Sequence, residues 1–223
     1  MDINTQIINY LNNNTNILLD ACKNNNIELV KLLLDHPDFD INKEFEVKDS
    51  NNNTYTQTVL IEAVMNKNIE IIQLLLQQKN IDINKKACYG SSALIVAVGQ
   101  NNFEIIQLLL QHKDIDINIK FRHGVTPLMM TNSHKIFQFL LSQPDIMVNI
   151  QDEDGNTALL HKCIKYDERY DSSVLYLIKI LLDHPEIDFN IKNNKDKNII
   201  DYSNENTGLL CYFIDEYKKK HNI

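Results

Sequence analysis

The segment 92–118, SALIVAVGQNNFEIIQLLLQHKDIDIN, contains a phrase that recurs along the chain. It opens with a small residue and a leucine, continues through Ile-Ile-x-Leu-Leu-Leu, and closes with Ile-Asp-Ile-Asn. Self-similarity at a period near 34 residues is typical of stacked supersecondary units that bury their apolar faces against one another. The segment therefore predicts the architecture, although a stacked scaffold does not name its partner.

Two marker residues establish the spacing of the copies. The opening residue is Leu18, Leu60, Leu94, Leu128, Leu159 or Ile200, and the closing residue is Asn42, Asn84, Asn118, Asn149 or Asn190. Opening and closing residues are 24 positions apart in the first three copies, and the next opening residue follows four of the asparagines after ten positions. The fourth copy is three residues shorter, the fifth is seven longer, and eight extra residues precede Leu60. Such changes are expected in loops.

Each copy predicts two helices followed by an extended tail. In the third copy the helices are predicted over 92–99 and 102–111, and the second has an apolar stripe broad enough for neighbours on both sides. The tail alternates apolar and polar residues, and its Asp and Asn side chains are expected to form local turn bonds. Pro37, Pro144 and Pro185 cannot continue a helix, so each second helix is expected to end just before them.

These motifs resemble the repeats of ankyrin-repeat proteins. The family pattern Gly-x-Thr-Pro-Leu-His-x-Ala is matched best at 124–128 and 155–159, then at 90–97, and more weakly at 58–63 and 17–21. The second half of the pattern, a glutamate before a hydrophobic run ending in Leu-Leu-Leu, is matched at 28–34, 70–76 and 104–110. The resemblance covers the chain from about residue 14 onward and implies an all-α ankyrin-repeat α-solenoid, with helix-turn-helix units joined by β-hairpin-like fingers.

The resemblance implies a single domain of about six units. Their predicted bounds are 1–13 for an N-terminal capping helix, 14–46, 47–86 with an inserted finger, 87–120, 121–151, 152–192 with an inserted loop, and 193–223 for the sixth unit or C-terminal cap. Because both ends have amphipathic segments suited to capping an array, no appended enzyme domain is expected. The asparagine run 51–53 lies in the first insertion and is interpreted as a solvated turn.

The charge and hydropathy of the chain disfavour several classes of partner. With 22 basic and 30 acidic side chains the net charge is −8, which disfavours nonspecific binding to nucleic acid or anionic membranes. No run approaches about 18 consecutive apolar residues, so no membrane span is expected. The first residues have no secretory leader. We expect an intracellular, cytoplasmic protein that is a monomer.

No residue pattern points to catalysis, a cofactor or a metal. Phosphate-binding and metalloprotease motifs are absent, and the four cysteines are widely spaced, so Cys22 and Cys163 are predicted to be packed free thiols in a reducing compartment. His36, His112 and His184 recur at one position of alternate copies, roughly 20 Å apart, which is too far for a shared metal. They are interpreted as imidazoles facing exposed carbonyls at helix C-termini.

The resemblance implies that partners bind a concave face formed by the finger tips and the first helices. Carried onto this chain, it predicts partner-binding residues at Tyr55, Tyr89, Phe121, Arg122, His123, Glu153, Asp154 and Lys195. The first-helix ends that complete the face include Lys23, Asn24, Met65, Asn66, Gly99 and Gln100. Aromatic and arginine side chains supply most interface energy, which favours Tyr55, Tyr89 and Arg122. Phe121 replaces the family's aspartate and either anchors a partner or packs against the next finger.

Three features leave alternatives open. Charge alternates in sign from finger to finger, which either sets the register of a partner or is ordinary solvated charge. The loop 165–174, rich in tyrosine and charge, is either an interaction element or a tolerated insertion. Lys162 occupies the slot of a small core residue in the fifth copy, while the stretch 131–135 of the fourth copy is short and ends with Lys135 in the slot for glutamate.

The predicted function is a non-catalytic protein-binding module, a scaffold or adaptor. The alternative is a stoichiometric inhibitor or effector that occludes a target enzyme or regulator. The resemblance also implies that the closing asparagines are candidate substrates of asparaginyl hydroxylation.

Overall fold

The computed structural model describes residues 17–35, 40–48, 51–165, 172–205 and 209–221. The predicted capping helix 1–13, His36, Pro37 and most of the loop 165–174 lie outside the described residues. The helices are α1 Ile17–Lys23, α2 Ile27–Leu34, α3 Val59–Met65, α4 Ile69–Leu76, α5 Ala93–Gly99, α6 Phe103–Leu109, α7 Pro127–Met130, α8 His134–Leu141, α9 Ala158–Lys165, α10 Ser172–Leu182, α11 Ile199–Glu205 and α12 Leu209–His221.

The helices come in pairs that begin at the residues of the repeated motif. The side chains of Thr58, Ser92 and Thr126 each accept a hydrogen bond from the backbone N–H three residues later and so cap α3, α5 and α7. In the third copy the helices run 93–99 and 103–109, close to the predicted 92–99 and 102–111. The motif threonine or serine is therefore the start signal for these three first helices.

A left-handed residue joins the two helices in each of the first three copies. Asn25, Lys67 and Asn101 have φ of 52°, 57° and 55°. A single residue in this conformation reverses the chain within a few residues, and asparagine tolerates it better than most side chains. The second helix can therefore fold back directly beside the first.

The core is built from equivalent residues of successive copies. The opening leucines Leu18, Leu60, Leu94, Leu128 and Leu159 are all buried, as are the second-helix residues Val30, Ile72, Ile106, Phe137 and Ile178. Within each of the segments 1–116 and 117–223, first helices pack on first helices and second helices on second helices of the neighbouring copy. Each such side chain contributes roughly 1.5–3 kcal/mol by leaving water. The repeated apolar surface is thus shared between copies, as predicted.

The closing asparagines link each tail to the tail of the next copy. The side chain of Asn84 donates from Nδ2 to the Asp114 carbonyl at 2.6 Å and accepts the Asp116 N–H at Oδ1 at 2.8 Å. The same pair of bonds joins Asn42 to Asn80 and Asp82, Asn118 to Asp145 and Met147, and Asn149 to Glu186 and Asp188. We call these four residues the asparagine ladder.

The prediction of purely local turn bonds at the asparagines was therefore incomplete. The local bond is made instead by the aspartate two residues earlier, because the carboxylates of Asp40, Asp82 and Asp188 accept the N–H of the closing asparagine. This Asx turn fixes the backbone, which leaves the asparagine side chain to reach across to the next copy.

Proline is not what ends the second helices. Helices α4 and α6 have no proline after them, yet they end at Leu76 and Leu109, and α8, before Pro144, ends similarly at Leu141. After these three helices, backbone turns bring the N–H of Ile81, Ile115 and Ile146 to the carbonyl three residues earlier. Nδ1 of His112, just after α6, and of His184, just after α10, accepts the N–H of Asp114 and of Glu186, each at 3.3 Å.

The first insertion forms a β-hairpin. Strands β1 (Phe45–Lys48) and β2 (Thr54–Gln57) are antiparallel, with Phe45 opposite Gln57 and Lys48 opposite Thr54. Asn51, Asn52 and Asn53 are exposed, and Asn52 has a φ of 64°. The extra residues thus lengthen the finger. The sequence placed this finger in the predicted unit 47–86, and its first strand begins two residues earlier, at Phe45.

The chain forms two compact units, 1–116 and 117–223. The first contains the hairpin and helices α1 to α6, and the second contains α7 to α12. The grouping into a single domain with the six predicted repeat bounds stays a prediction.

Candidate partner-binding face

Two finger tips are built from consecutive left-handed residues. Tyr89 and Gly90 have φ of 63° and 75°, and His123 and Gly124 have φ of 57° and 77°. A side chain other than glycine pays about 1–2 kcal/mol to adopt this conformation. Two such residues in succession reverse the chain tightly, and the side chains of Tyr89 and His123 are exposed at the tips.

In the second compact unit three successive fingers are joined through their backbones. The Glu153 N–H donates to the His123 carbonyl at 2.8 Å, and the Asn194 N–H donates to the Asp154 carbonyl at 2.9 Å. Gly124 permits this approach, because a Cβ there would lie 3.1 Å from the Asp152 Cα. The fingers therefore hold His123, Glu153, Asp154 and Lys195 on neighbouring exposed tips, and their role in binding a partner stays a prediction.

The predicted residues on these tips contact one another at the surface. His123 Nδ1 lies 3.3 Å from Glu153 Oε2, with both side chains exposed, and exposed pairs of this kind contribute only about 0–1 kcal/mol. The Arg122 guanidinium lies over the half-buried Phe121 ring, 5.8 Å from its centroid. Phe121 thus supports Arg122 through a cation–π contact, which neither of the two roles open from the sequence described.

Many finger charges are engaged within the protein. Asp152 is turned inward, with Oδ2 2.6 Å from His161 Nε2. Further contacts join Lys192 to Asp196 at 3.0 Å, Lys120 to the Gln151 carbonyl at 3.0 Å, and Lys85 to Glu44 at 3.0 Å. The last pair raises the pKa of Lys85 and lowers the pKa of Glu44 through a hydrogen bond and opposite charge. These contacts favour the alternative in which the finger charges stabilise the protein itself over the one in which they set the register of a partner.

In the first compact unit the predicted face has aromatic, apolar and amide side chains. Tyr55 lies on β2 opposite Val47 and is half-buried, whereas Tyr89 is 59% exposed. Met65, at the end of α3, is 45% exposed. Gln100, after α5, donates from Nε2 to the Met65 carbonyl at 3.0 Å, so two first-helix ends are in direct contact.

A buried glutamate, Glu62, lies beneath this face and was not predicted from the sequence. It lies on α3 with only 6% of its surface exposed, and it helps, after burial itself, to raise the pKa of the Cys22 thiol to about 12. The equivalent slots of the next two copies hold Val96 and Met130. An acid in a slot that is apolar in the next two copies was the available signal.

A buried lysine connects two departures that the sequence showed separately. The three-residue deletion in the fourth copy leaves α7 only four residues long, Pro127–Met130. Lys162, 1% exposed, donates from Nζ to the Met129 carbonyl at 3.0 Å, the Thr131 carbonyl at 2.6 Å and Asn132 Oδ1 at 2.8 Å. Its ammonium therefore satisfies the carbonyls that the missing helical turn leaves without partners.

The reactive groups of the described residues are few. Cys22 and Cys163 are buried free thiols, as predicted, and burial raises the pKa of Cys163 as well. Across 17–35, 40–48, 51–165, 172–205 and 209–221, no group of three His, Cys, Asp or Glu side chains is arranged to hold a metal ion. Nor is any helix in these stretches long and apolar enough to cross a membrane.

Comparison with known proteins identifies the repeat. The family model for ankyrin repeats, three copies long, matches residues 18–121 and 85–152, which together span more than half of the chain. No curated protein sequence matches the chain.

Solved structures share the fold. The crystal structure of the ankyrin repeat protein EF0377 is 24% identical with a TM-score of 0.69, and the alignment covers 91% of this chain and 95% of that one. An ankyrin repeat domain from Acinetobacter baumannii AYE is 21% identical with a TM-score of 0.70 and the same coverage, 91% and 95%.

A third structure is the predatory endopeptidase Bd0816 from Bdellovibrio bacteriovorus in complex with immunity protein Bd3460. A chain of it is 22% identical with a TM-score of 0.60, over 89% of this chain and 96% of that one. The fold is the predicted all-α solenoid, and the chain belongs to the ankyrin-repeat family.

Proposed function

We propose that this protein is a non-catalytic scaffold or adaptor that grips a partner protein with its finger tips and first-helix ends. Ankyrin repeats are in general protein–protein interaction modules, which gives the class. The observation that carries the proposal is Tyr89, which combines a left-handed backbone, φ 63°, with a side chain 59% exposed.

Both properties of Tyr89 are unfavourable in the free protein. The backbone conformation costs about 1–2 kcal/mol for a side chain of this kind, and a large aromatic surface faces water. Strained residues of this sort concentrate at functional sites, and tyrosine is among the residues that dominate interface energy. Burial of Tyr89 against a partner explains why the conformation is retained.

The second compact unit offers a complementary set. Arg122, supported by Phe121, is a second candidate anchor, and the exposed Glu153, Asp154 and Lys195 form a charged rim. Rim charges act mainly on association rate and salt dependence. Together with a net charge of −8, this set supports a protein partner rather than nucleic acid. The free thiols Cys22, Cys163 and Cys211 support an intracellular, cytoplasmic location.

Affinity capture from the native host tests the proposal. We expect the wild-type chain to recover one main partner, and Tyr89→Ala or Arg122→Ala to reduce its recovery about tenfold or more, as truncation of an anchor residue does. Leu32→Ala is the matched control, because Leu32 is exposed but lies on the second helix α2, outside the predicted face. Equal recovery by all variants would move the binding site away from the finger tips.

The alternative is a stoichiometric inhibitor or effector. It is suggested by the structure in which an endopeptidase is in complex with an immunity protein, since a chain of that structure has this fold. Purified chain added to the captured partner at a 1:1 ratio separates the two functions. Loss of the partner's activity supports the inhibitor, and full activity within a larger assembly supports the adaptor.

A further inference from the structure

Glu62 is a buried carboxylate whose hydrogen-bond donors, among the described residues, are neutral amides. The side-chain amide of Asn66 donates to Glu62 Oε1 at 2.7 Å, and Gln57 Nε2 lies 3.5 Å from Oε2. Gln57 Nε2 is closer to the Met65 sulfur, at 2.9 Å, so its bond to Glu62 is weak. The carboxylate is thus held in place by one firm neutral bond.

No cation balances Glu62 among the described residues. Its ion pairs would be visible as contacts to lysine, arginine or histidine, and none of the pairs in the described stretches includes it. Buried carboxylates are rarely left without a positive partner, because removing the charge from water is costly.

A second acceptor nearby, Gln100 Oε1, is unsatisfied. The bond from Gln100 Nε2 to the Met65 carbonyl fixes which way the amide points. The other end of that amide, Gln100 Oε1, is buried and receives no hydrogen bond. A buried acceptor left in this state costs about 1–3 kcal/mol.

The two acceptors lie on neighbouring first helices, Glu62 in the middle of α3 and Gln100 directly after α5. Glu62 is bonded to Asn66 and Gln100 to Met65, and Asn66 and Met65 are adjacent residues at the end of α3. In the packed neighbour α1 the slot of Glu62 holds another acid, Asp20, which is exposed. We call Glu62, Gln57, Asn66 and Gln100 the Glu62 niche.

The chemistry of the niche selects its occupant. It presents a carboxylate and an amide oxygen, and both accept hydrogen bonds from N–H donors. The carboxylate also contributes one negative charge. A hard metal ion needs six or more oxygen ligands, more than the niche supplies. A primary ammonium or a guanidinium carries several N–H donors, which suit both kinds of acceptor, and it neutralises the charge.

We propose that the Glu62 niche receives a lysine or arginine side chain of the partner protein, which pairs with Glu62 and donates a hydrogen bond to Gln100 Oε1. The inference rests on the proposed function and adds a partner class to it, a protein segment with one anchoring basic residue. Met65, exposed beside the niche, covers the apolar stem of that residue.

The niche predicts opposite effects on stability and binding. Glu62→Gln keeps the shape and the oxygen that accepts from Asn66, loses only the weak bond from Gln57, and removes an uncompensated buried charge. The free protein therefore keeps its Tm or gains stability, while binding of the basic residue is lost. A purely structural Glu62 predicts the reverse, a lower Tm with unchanged binding.

The probe is a phage-displayed library of random dodecamer peptides, selected on the full chain and counter-screened against variants. We expect enriched peptides to share a lysine or arginine at one fixed position, and replacement of that residue by norleucine or citrulline in synthetic peptides to weaken binding about tenfold or more. Glu62→Gln and Gln100→Met weaken the same peptides. Glu104→Gln, the same charge change on the exposed face of α6, leaves binding unchanged.

The outcomes separate this inference from the proposed function. Enriched peptides that depend on Tyr89 but lack a fixed basic residue, or that ignore Glu62→Gln, overturn the niche and leave the binding module standing. Peptides insensitive to both Tyr89→Ala and Glu62→Gln overturn both, as does a failure to enrich any peptide. A Tm several degrees lower for Glu62→Gln with intact peptide binding assigns the residue to structure and ends the inference.

Discussion

At the scale of single residues, Lys162 shows how a buried charge becomes a structural element. Sequence comparison of the copies located both the lysine in an apolar slot and the three-residue deletion in the preceding copy. The sequence alone could not connect them, because the connection is a contact of the Lys162 side chain with the backbone of the fourth copy. In the structure the Nζ–H groups replace donors that the missing turn of α7 would have supplied.

We expect Lys162→Met to destabilise the protein by roughly 2–4 kcal/mol, since it keeps most of the side-chain volume but leaves two carbonyls and an amide oxygen without a donor. Urea unfolding followed by circular dichroism measures the change. Lys179→Met, at an exposed position of α10, serves as the control and should change the free energy of unfolding by less than about 0.5 kcal/mol. Equal effects of the two substitutions contradict the role of Lys162.

Only some residues of the candidate site were predictable from the sequence. Tyr89, Arg122 and His123 were predicted from the finger motif, and their exposure follows from the left-handed turn that the same motif encodes. Glu62 and Gln100 were not predicted as acceptors, since a missing hydrogen-bond partner is a property of the folded neighbourhood and leaves no trace in spacing.

At the scale of elements, the asparagine ladder holds neighbouring tails in register. The recurrence of the closing asparagine was plain from the sequence, and so was the alternation that buries Ile41, Ile83 and Ile117. The two bonds from each asparagine to the next tail were not predictable, because the sequence of a tail does not show which groups of the next copy its side chains contact. The first insertion behaves similarly, since a hairpin-like finger was predicted there, but the register that places Phe45 opposite Gln57 was not.

Asn84→Ala removes two hydrogen bonds between tails and is expected to cost about 1–2 kcal/mol. The matched control is Asn190→Ala, because within the described part of the chain the Asn190 side chain bridges to no further tail. Chemical denaturation of both variants, compared with wild type, gives the difference. A cost for Asn190→Ala as large as that for Asn84→Ala shows that the effect comes from the local turn and not from the ladder.

At the scale of the whole molecule, the stability of each copy is expected to depend mainly on the copies beside it. In a repeat protein each copy contacts mainly the copies beside it, so the stability is approximately a sum over copies and their interfaces. The positions of the copies were predictable, because a repeated apolar pattern is present in local sequence. The division into the compact units 1–116 and 117–223 was not, since it depends on contact density between whole copies.

Local stability leads to a spatial prediction for the two destabilised variants. Asn84→Ala should speed amide exchange mainly in 1–116, and Lys162→Met mainly in 117–223, because each substitution weakens interfaces of its own unit. Hydrogen-exchange mass spectrometry at peptide resolution measures both profiles. A uniform increase along the chain for either variant indicates a single cooperative unit and contradicts the nearest-neighbour description.

The bond between Lys162 and the shortened α7 constrains how this chain can evolve. Duplication of the fifth copy into another place would bury an ammonium against a full-length helix whose carbonyls are already bonded. Recombination that restored the three deleted residues beside Lys162 would meet the same conflict. The fourth and fifth copies are therefore expected to be inherited together, as one module of recombination in an array whose other members are freer to be exchanged.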